Sequence, residues 1–376
     1  MRQDMMRVLV TGGAGFIGSH TVDVLLERGY EVRVYDSLEP PTHVNGVPPA
    51  YLAREAEFVH ADVRDRNALA RALRGVDAVL HLAATGGFTP AIGSYFSANT
   101  IGTATLWEVI RDERLPIQKV VVASSVAVYG EGKYRCSAHG AVHPRPRSIA
   151  QLERHDWEVR CSQCDEQVVP IPTDEETPVE PGTAYAISKF DQERITLSYG
   201  RQLGVRVTAL RYFLTYGPRQ SIHNPYTGVC SIFANRIRNE LPAVIYEDGY
   251  QTRDFVYVRD TARANVLSLE SAHADAGVFN VGTGQATTMR ALATALHEEL
   301  GAALRLEIPQ RFRPGDVRHI VADVHQLQRV GFEPQFTLRQ GLRQYVAWVG
   351  QQEPLPDVFG AAEQGLREAG IVRSIS

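Results

Sequence analysis

The segment TGGAGFIGSH, residues 11–20, constrains most strongly what this chain can fold into. It follows the apolar run RVLV and leads into FIGSHTVDVLLERG, whose apolar residues recur at helical spacing. Gly12, Gly15 and Gly18 are spaced GxxGxxG between the predicted strand and the predicted helix. Such a turn needs residues without Cβ, so that backbone N–H groups at the helix N-terminus can approach a pyrophosphate. The segment therefore predicts a dinucleotide site, with Phe16 and Ile17 in the first helical turn.

Strand and helix patterns alternate beyond this turn. Short runs rich in Val, Leu and Ala are separated by amphipathic helices, which is typical of βαβ units and a parallel sheet covered on both faces. The predicted strands lie in MRVLVTG, EVRVYD, EFVHADV, DAVLHLAA, KVVVASS, VRVTALRYF and GVFNVG. The second half is less regular, with loops at GPRQ, NPYTG and RPGD. We predict an α/β fold: a Rossmann-type doubly wound parallel sheet with a smaller mixed α/β substrate lobe.

Two acidic residues follow predicted strands and favour a particular dinucleotide. Asp36 ends the second strand, where a carboxylate accepts hydrogen bonds from the adenosine ribose hydroxyls. Because a carboxylate there would repel a 2′-phosphate, NAD is favoured over NADP. Asp62, after the third strand, could meet the adenine amino group.

A tyrosine and a lysine stand four residues apart in YAISK. Tyr185 and Lys189 therefore lie one turn apart on one face of a predicted helix. The chain has only three lysines, so a chance pair at this spacing is not expected. A nearby ammonium and a positive nicotinamide ring lower the pKa of a phenol toward the working range of a base. Ser125 ends the strand KVVVASS, at the sheet edge where ligands bind, and its hydroxyl can hold a substrate oxygen.

These motifs occur in an order that resembles the extended short-chain dehydrogenase/reductase family, in its sugar-nucleotide-modifying branch. TGGAGFIGSH, HLAA, SSVAVYG, YAISK, RYFLTYGPRQ, QTRDF, FNVGTG and RPGDVRH carry the resemblance. It implies that Asn99 supports the active site and that Arg253, Arg313 and Asp316 hold the nucleotide diphosphate of the substrate. Leu214 stands where relatives often have an asparagine that touches the phosphates. The resemblance also implies NAD contacts at Val63, Leu82, Ala83, Ala84, Asn99, Tyr185 and Lys189.

The residues after Ser125 discriminate between reactions of this branch. Dehydratases and decarboxylases carry carboxylates there, because elimination needs a further acid or base. Here Val126 and Ala127 stand at those positions, and neither can move a proton. We therefore expect epimerisation of a dTDP- or UDP-hexose at C4, through a transient ketone with Tyr185 as base. A dehydrogenase or reductase with net NAD(H) turnover, a 4,6-dehydratase, which Val126 and Ala127 disfavour, and a non-enzymatic nucleotide sensor are the alternatives.

Between Ser125 and Tyr185 lies an insertion with metal-ligand spacing. Cys136 and His139, and then Cys161 and Cys164, form pairs separated by two residues each, as in tetrahedral zinc sites with two short knuckles. His143 or His155 could replace His139, and an ordinary loop with incidental thiols is the alternative. Four protein ligands leave no open position, which predicts a structural zinc. With this insertion the chain resembles the dTDP-L-rhamnose 4-epimerase-type subgroup.

Composition bounds the partners and the compartment. A net charge of −4 gives no reason to expect nucleic acid, and the apolar runs are too short for a membrane span. Four cysteines and a start that passes directly into a strand favour the cytoplasm. By resemblance we expect a homodimer. The predicted parts are a NAD-binding Rossmann domain over 1–130, 178–213 and 251–285, an inserted zinc knuckle over 131–177, a substrate-binding lobe over 214–250 and 286–350, and a C-terminal helical tail over 351–376.

Overall fold

Short apolar runs form most of the strands of the computed structural model, which describes residues 6–40, 42–43, 45–87, 91–224, 228–353 and 355–374. The strands are β1 (Arg7–Thr11), β2 (Glu31–Asp36), β3 (Glu57–His60), β4 (Ala78–His81), β5 (Lys119–Ser125), β6 (Tyr134–Cys136), β7 (Gly140–Val142), β8 (Val169–Pro170), β9 (Arg206–Tyr212), β10 (Leu214–Tyr216), β11 (Ala243–Val244), β12 (Thr252–Arg253), β13 (Phe255–Tyr257), β14 (Gly277–Val281), β15 (Thr287–Thr288), β16 (Leu306–Glu307) and β17 (His319–Ile320).

Amphipathic segments form the helices between them. The helices are α1 (Phe16–Glu27), α2 (Arg66–Leu73), α3 (Ile92–Tyr95), α4 (Gly102–Asp112), α5 (Ile149–Glu153), α6 (Ala184–Leu203), α7 (Val229–Arg238), α8 (Val258–Glu270), α9 (Met289–Leu300), α10 (His325–Val330), α11 (Leu338–Gly350) and α12 (Val358–Glu368). A π-helical turn, Phe96–Ile101, joins α3 to α4, and 3₁₀ turns lie at Val126–Tyr129 and Ala272–Ala274. In the described part of the chain, none of these helices has both the length and the apolar character of a membrane span.

The main sheet is parallel and has seven strands in the order β3-β2-β1-β4-β5-β9-β14. Val8 of β1 pairs with Val32 of β2 on one side and with Ala78 of β4 on the other. Strands β1, β4 and β5 are almost wholly buried, because helices cover both faces of the sheet. The strand order reverses between β1 and β4, and the carboxyl ends of the strands open a crevice there. The predicted Rossmann-type fold is confirmed.

A smaller lobe stands beyond the carboxyl ends of this sheet. It contains the two-stranded pairs β10-β13 and β11-β16 and the three-stranded sheet β15-β12-β17. Apolar faces of α7, α9 and α11 pack around one core, which includes Phe233, Leu292 and Leu342. The C-terminal helix α12 lies against this lobe, where Glu363 accepts hydrogen bonds from Arg311.

The two parts exchange segments more finely than the predicted ranges suggest. Strands β12 and β13 fall inside the predicted Rossmann range 251–285, yet they pair with strands of the lobe. Helix α10 falls inside the predicted lobe range 286–350, yet Leu327 and Phe332 pack in the core of the main sheet. These elements are only two to six residues long, so their pairing depends on tertiary contacts and not on local pattern. The domain bounds stay a prediction.

The insertion forms a small three-stranded sheet of its own, with the strand order β7-β6-β8. Loops connect this sheet to the rest of the chain. Its apolar cluster is small, with Tyr134, Val159 and Val168 packed beside the buried Cys136 and Cys161. A core of this size contributes little hydrophobic stabilisation, which favours an additional cross-link.

Candidate active site

The glycine-rich turn closes tightly between β1 and α1. Gly12 has φ +67°, and a Cβ on it would stand 2.8 Å from the backbone of Ala83. A Cβ on Gly18 would stand 2.0 Å from the carbonyl oxygen of Gly12, whereas one on Gly15 would meet only that oxygen, at 3.2 Å. The turn therefore requires glycine at Gly12 and Gly18, and it leaves the N-terminus of α1 open to an anion. The first-turn residues are Phe16 and Ile17.

Asp36 lies beside this turn and fixes it. Its carboxylate accepts hydrogen bonds from the backbone N–H groups of Ala14 at 3.0 Å and Leu38 at 2.9 Å. Nε2 of His43 stands 3.8 Å from the same carboxylate. Burial lowers the pKa of His43, against the opposing effect of Asp36. Sequence reasoning placed Asp36 here but missed His43, since no motif marks it.

The opposite wall of the crevice follows β4. The backbone N–H groups of Leu82 and Ala83 donate to the carbonyl and hydroxyl oxygens of Thr11, at 3.1 and 3.2 Å. Asp62 is engaged by Arg64, whose Nε donates to it at 2.8 Å, and this hydrogen bond lowers the pKa of Asp62. That partner was not predicted. The other residues predicted here are Val63, which is buried, and Ala84.

Ser125 and Tyr185 meet at the carboxyl edge of the sheet. Ser125 ends β5 and accepts a hydrogen bond from the backbone N–H of Ala127 at 3.2 Å. Tyr185 stands in the first turn of α6, which Thr183 caps by accepting from the N–H of Ala186 at 3.1 Å. Burial raises the pKa of Tyr185, and a hydrogen bond with Ser125 opposes that rise. Burial therefore sets the direction of the shift, and the lowering predicted for Lys189 together with a nicotinamide ring stays a prediction.

Lys189 follows one turn later and faces an amide. Its Nζ donates to Oε1 of Gln192 at 2.5 Å, and the residue is only 2 % exposed. Burial lowers the pKa of Lys189 to about 7. Nε2 of Gln192 donates in turn to Thr103 Oγ1 at 2.9 Å, which also contacts the buried ring of His81. Gln192 was missed, although its place three residues after Lys189 puts it on the same helix face.

Asn99 lies in the π-helical turn and connects two walls of the site. Its Oδ1 accepts from the backbone N–H of Thr85 at 2.7 Å, and its Nδ2 donates to Ser188 Oγ at 2.9 Å. Asn99 therefore ties the segment after β4 to helix α6. A π turn inside a helix is often found at a functional site.

The residues around Ser125 have separate tasks. Ser124 donates to Glu193 at 2.8 Å, and Glu193 forms a buried ion pair with Arg211. Ser124 therefore has a structural role in the buried contacts beneath the site. Val126 and Ala127 form the 3₁₀ turn directly after Ser125 and bring no carboxylate to it.

The residues predicted to hold a diphosphate lie in the smaller lobe. Nη2 of Arg253 donates to Asp316 Oδ1 at 3.0 Å, and its Nη1 donates to the carbonyl oxygens of Thr252 and Arg318. Arg313 stacks its guanidinium 4.9 Å above the ring of Tyr246.

Leu214, which stands where relatives often have an asparagine, brings no amide to the site. Leu214 pairs with Phe255 in the β10-β13 ladder, and its side chain is partly buried. The hydroxyl of Thr215 lies 3.2 Å from that of Thr261. The neighbouring hydroxyl is thus engaged within the protein.

The insertion brings four predicted metal ligands together. One ligand atom from each of Cys136, His139, Cys161 and Cys164 lies within 4.8 Å of every other. Nδ1 of His139 stands 3.5 Å from the sulfurs of Cys136 and Cys161, and the sulfurs of Cys136 and Cys164 are 3.7 Å apart. A tetrahedron with Zn–S bonds of about 2.3 Å separates its sulfurs by about 3.8 Å. The arrangement fits zinc.

The alternative histidines are engaged elsewhere. Nδ1 of His143 contacts the carbonyl oxygen of Gly132 at 2.7 Å, and the ring of His155 lies 5.6 Å from that of Trp157. His139 is therefore the histidine of the cluster.

Comparisons with known proteins agree with this geometry. The model of the NAD dependent epimerase/dehydratase family matches residues 8–149 and 162–282. A dTDP-L-rhamnose 4-epimerase of Burkholderia thailandensis is 33% identical over 93% of this chain and 96% of the relative. The solved UDP-glucose 4-epimerase of Thermotoga maritima with UDP-glucose has a TM-score of 0.75 at 31% identity, over 92% of this chain and 99% of that chain. The corresponding enzyme of Thermus thermophilus in complex with NAD has a TM-score of 0.72 at 31% identity, with the same coverage. This chain is therefore an enzyme of the NAD dependent epimerase/dehydratase family, as its motifs predict.

Proposed function

We propose that this enzyme epimerises a dTDP- or UDP-linked hexose at C4, by transient oxidation to a 4-keto intermediate with NAD as cofactor. The observation that carries the proposal is the position of Tyr185 beside Ser125 at the carboxyl edge of the sheet, with Lys189 one helical turn after Tyr185. The relatives named above, which are 4-epimerases of dTDP-L-rhamnose and of UDP-glucose, support both the reaction and the substrate class.

NAD would be held by the first βαβ unit. A Cβ on Gly12 or Gly18 would collide with the protein's own backbone, so only glycine permits the tight turn that would bring the N-terminus of α1 up to a pyrophosphate. Asp36, the residue that fixes this turn, would accept from the ribose hydroxyls and would exclude a 2′-phosphate. When bound, NAD would accept a hydride from the sugar carbon and return it, and its positive ring would favour the phenolate form of Tyr185.

The protein's own groups would move and hold the proton. Tyr185 would take the proton of the sugar hydroxyl, and it would return a proton to the same oxygen in the reverse step. Ser125 would donate a hydrogen bond to that oxygen as negative charge develops on it. Lys189, with a pKa of about 7, would change its protonation state readily near neutral pH and so would assist the phenol.

One feature of the site favours epimerisation over elimination of water. Val126 and Ala127 place only apolar side chains next to Ser125, and elimination of water needs an additional acid there. Arg253 and Arg313 would bind the diphosphate, since a guanidinium suits bidentate phosphate contacts, while Asp316 would orient Arg253. Leu214 would not supply the amide contact to the phosphates that an asparagine often makes in relatives. Binding of the phosphates would therefore depend more on Arg253 and Arg313.

A panel of sugar nucleotides tests the proposal. We expect dTDP-L-rhamnose or a UDP-hexose labelled with deuterium at C4 to give the C4 epimer with the label retained, as seen by NMR. The NADH absorbance should not accumulate during turnover. Steady NADH formation would instead assign a net oxidoreductase, and cofactor binding without sugar conversion would assign a sensor.

We also infer a structural zinc at Cys136, His139, Cys161 and Cys164. The spacing of their ligand atoms supports it, and backbone N–H of Ala138 lowers the pKa of Cys136 toward the thiolate that zinc requires. We expect purified protein to contain one zinc per chain by elemental analysis, and Cys164→Ser to lose it. Cys230→Ala is the matched thiol control, because Cys230 is buried in the lobe core and should not change the metal content. Thiols in this reduced state would fit a cytoplasmic enzyme.

A homodimer completes the proposal. Ile92, Ile101 and Ile187 are 62, 55 and 40 % exposed, and they lie on or beside α3, α4 and α6. Exposed large aliphatic side chains on neighbouring helices suit a helical interface between two copies. Light scattering should give twice the chain mass, and Ile187→Glu should reduce it to that of one chain.

A further inference from the structure

A buried arginine of the insertion reaches into the smaller lobe. The side chain of Arg147 is 2 % exposed, and its two Nη atoms donate to the carboxylate of Glu247 at 3.0 and 2.9 Å. Its Nε lies 3.3 Å from Glu131, and further hydrogen bonds reach the carbonyl oxygens of Trp157 at 2.9 Å and Asp316 at 2.8 Å. All three guanidinium nitrogens are therefore engaged, and the bond to Asp316 reaches a residue predicted to border the diphosphate.

The same carboxylate connects Arg147 to the substrate arginine. Glu247 also accepts from Nη1 of Arg318 at 2.9 Å, and Arg318 is fully buried. The carbonyl oxygen of Arg318 accepts from Nη1 of Arg253 at 3.1 Å. A continuous line of buried polar contacts thus runs from the insertion to Arg253.

The segment 311–318 is held from two sides. On the side of the insertion, the ring of Trp157 lies 6.3 Å from that of Phe312, and Leu152 completes this cluster. On the other side, the C-terminal tail pairs Arg373 with Phe312 through backbone hydrogen bonds of 3.0 and 2.9 Å. Arg313 and Asp316 belong to this segment, so the insertion and the tail both restrain it.

We propose that Arg147 is a positioning residue for the substrate. It holds the segment 311–318, and through Glu247 and Arg318 it holds Arg253, in the conformation that receives the nucleoside diphosphate. This inference rests on the proposed function. A purely structural arginine would change stability without changing the affinity of the folded protein for its ligand, whereas a positioning residue sets that affinity.

The first test replaces the planar guanidinium of Arg147 by a lysine ammonium, which keeps the positive charge. A lysine at position 147 can reach only some of the four acceptor groups, which are Glu131, Glu247 and the carbonyl oxygens of Trp157 and Asp316, so Arg147→Lys releases the segment 311–318. We expect calorimetry to show tenfold or more weaker binding of dTDP or UDP, with NAD affinity changed less than twofold. Hydrogen exchange should accelerate at residues 311–318 and remain unchanged at residues 6–36. Arg154→Lys, on an exposed arginine of the same insertion, is the matched control and should bind dTDP or UDP as the wild type does.

A second variant guards against a failure to fold. Arg147→Met with Glu131→Gln removes one charge of each sign, and Glu247 keeps Arg318 as its partner. If either folded variant binds dTDP and UDP with wild-type affinity, Arg147 does not position the site and the inference is overturned. If the wild type itself binds neither nucleotide, the proposed function fails and takes this inference with it. Weakened nucleotide binding with intact NAD binding supports the inference.

Discussion

The catalytic corner and the insertion interface treat buried charge in opposite ways. In the catalytic corner, formed by Ser125, Tyr185 and Lys189, the ammonium has a neutral amide as its hydrogen-bond partner. In the insertion interface, formed by Glu131, Arg147, Glu158, Glu247 and Arg318, each arginine contacts at least two carboxylates. The comparison teaches that a buried ammonium beside neutral groups suits proton transfer, whereas paired opposite charges suit a fixed shape, even though burial raises the pKa of Glu131 in the interface to about 7.

Removing the phenol should have the largest effect on the catalytic side. Tyr185→Phe deletes the proposed base and one partner of Ser125, and general acid–base catalysis contributes roughly 10²–10⁴-fold. We expect kcat to fall by about that factor with thermal stability maintained, as measured by an NMR conversion assay and calorimetry. Tyr199→Phe, on the same helix, is the matched control and should retain activity. Turnover unaffected by Tyr185→Phe would remove the catalytic corner from the comparison.

On the insertion side, Arg318→Met should cost stability. It leaves Asp248 without a buried cation and Glu247 with Arg147 alone, and breaking a buried pair costs about 3–5 kcal/mol. Urea unfolding should report this loss. Arg339→Met is the contrast, because Arg339 and its partner Glu298 are 59 and 49 % exposed and such pairs contribute at most about 1 kcal/mol. Equal losses in both variants would show that burial does not distinguish the two pairs.

The opposite sign is expected for Lys189→Met. Because burial lowers the pKa of Lys189 to about 7, the charged form opposes folding, and an apolar replacement should stabilise the protein by about 1–4 kcal/mol at neutral pH while abolishing turnover. The unfolded chain binds more protons between pH 7 and the ordinary lysine pKa of 10.5, so the stability of the wild type rises through that window. The advantage of the variant should therefore shrink as pH rises. An advantage independent of pH would argue that Lys189 keeps its ordinary pKa of 10.5 and stays charged in the folded protein.

The smallest effect is expected at the edge of the insertion interface. Hydrogen bonding to His319, assisted by Arg318, lowers the pKa of Glu158 to about 2. Since the folded pKa lies below the unfolded value of 4.5, this stabilisation is present above pH 4.5 and is lost as pH falls toward 2. Glu158 is one third exposed, so solvent screening reduces the loss in Glu158→Gln to about 1 kcal/mol at pH 7.

Urea titrations at several pH values check this expectation. The difference between wild type and Glu158→Gln should shrink as pH falls below 4.5 and should vanish near pH 2, while Glu153→Gln, an exposed residue of the same insertion, should match the wild type throughout. A difference that persists at pH 2 would exclude ionisation of Glu158 as its cause.

The main sheet and the candidate site residues could be predicted because both are marked by local patterns in the sequence. The strands of the main sheet are buried on both faces and read as apolar runs, and the glycine turn and YAISK are contiguous motifs. The four metal ligands could be found because each pair has its own local spacing. The spacing within each pair could be read from the sequence. That the two pairs lie against each other is a result of the fold.

The remaining contacts could not be predicted because their partners are distant in sequence. Arg147 and Glu247 are 100 residues apart, and Arg147 belongs to no motif. Burial raises the pKa of Tyr185, and no local pattern predicts that rise, because desolvation depends on how completely the crevice closes. The two-residue strands of the smaller lobe carry too little pattern to be assigned without their tertiary partners.

The widened turn at Phe96–Ile101 has an evolutionary consequence. A π turn holds one residue more than the α-helical turn it replaces, so deleting a single residue there would restore an ordinary helix. Residues on one side of the deletion would then rotate by about 100° relative to the other, because an α-helix has 3.6 residues per turn. Asn99 would then no longer face both Thr85 and Ser188. The length of this turn therefore matters to the site as much as the identity of its residues.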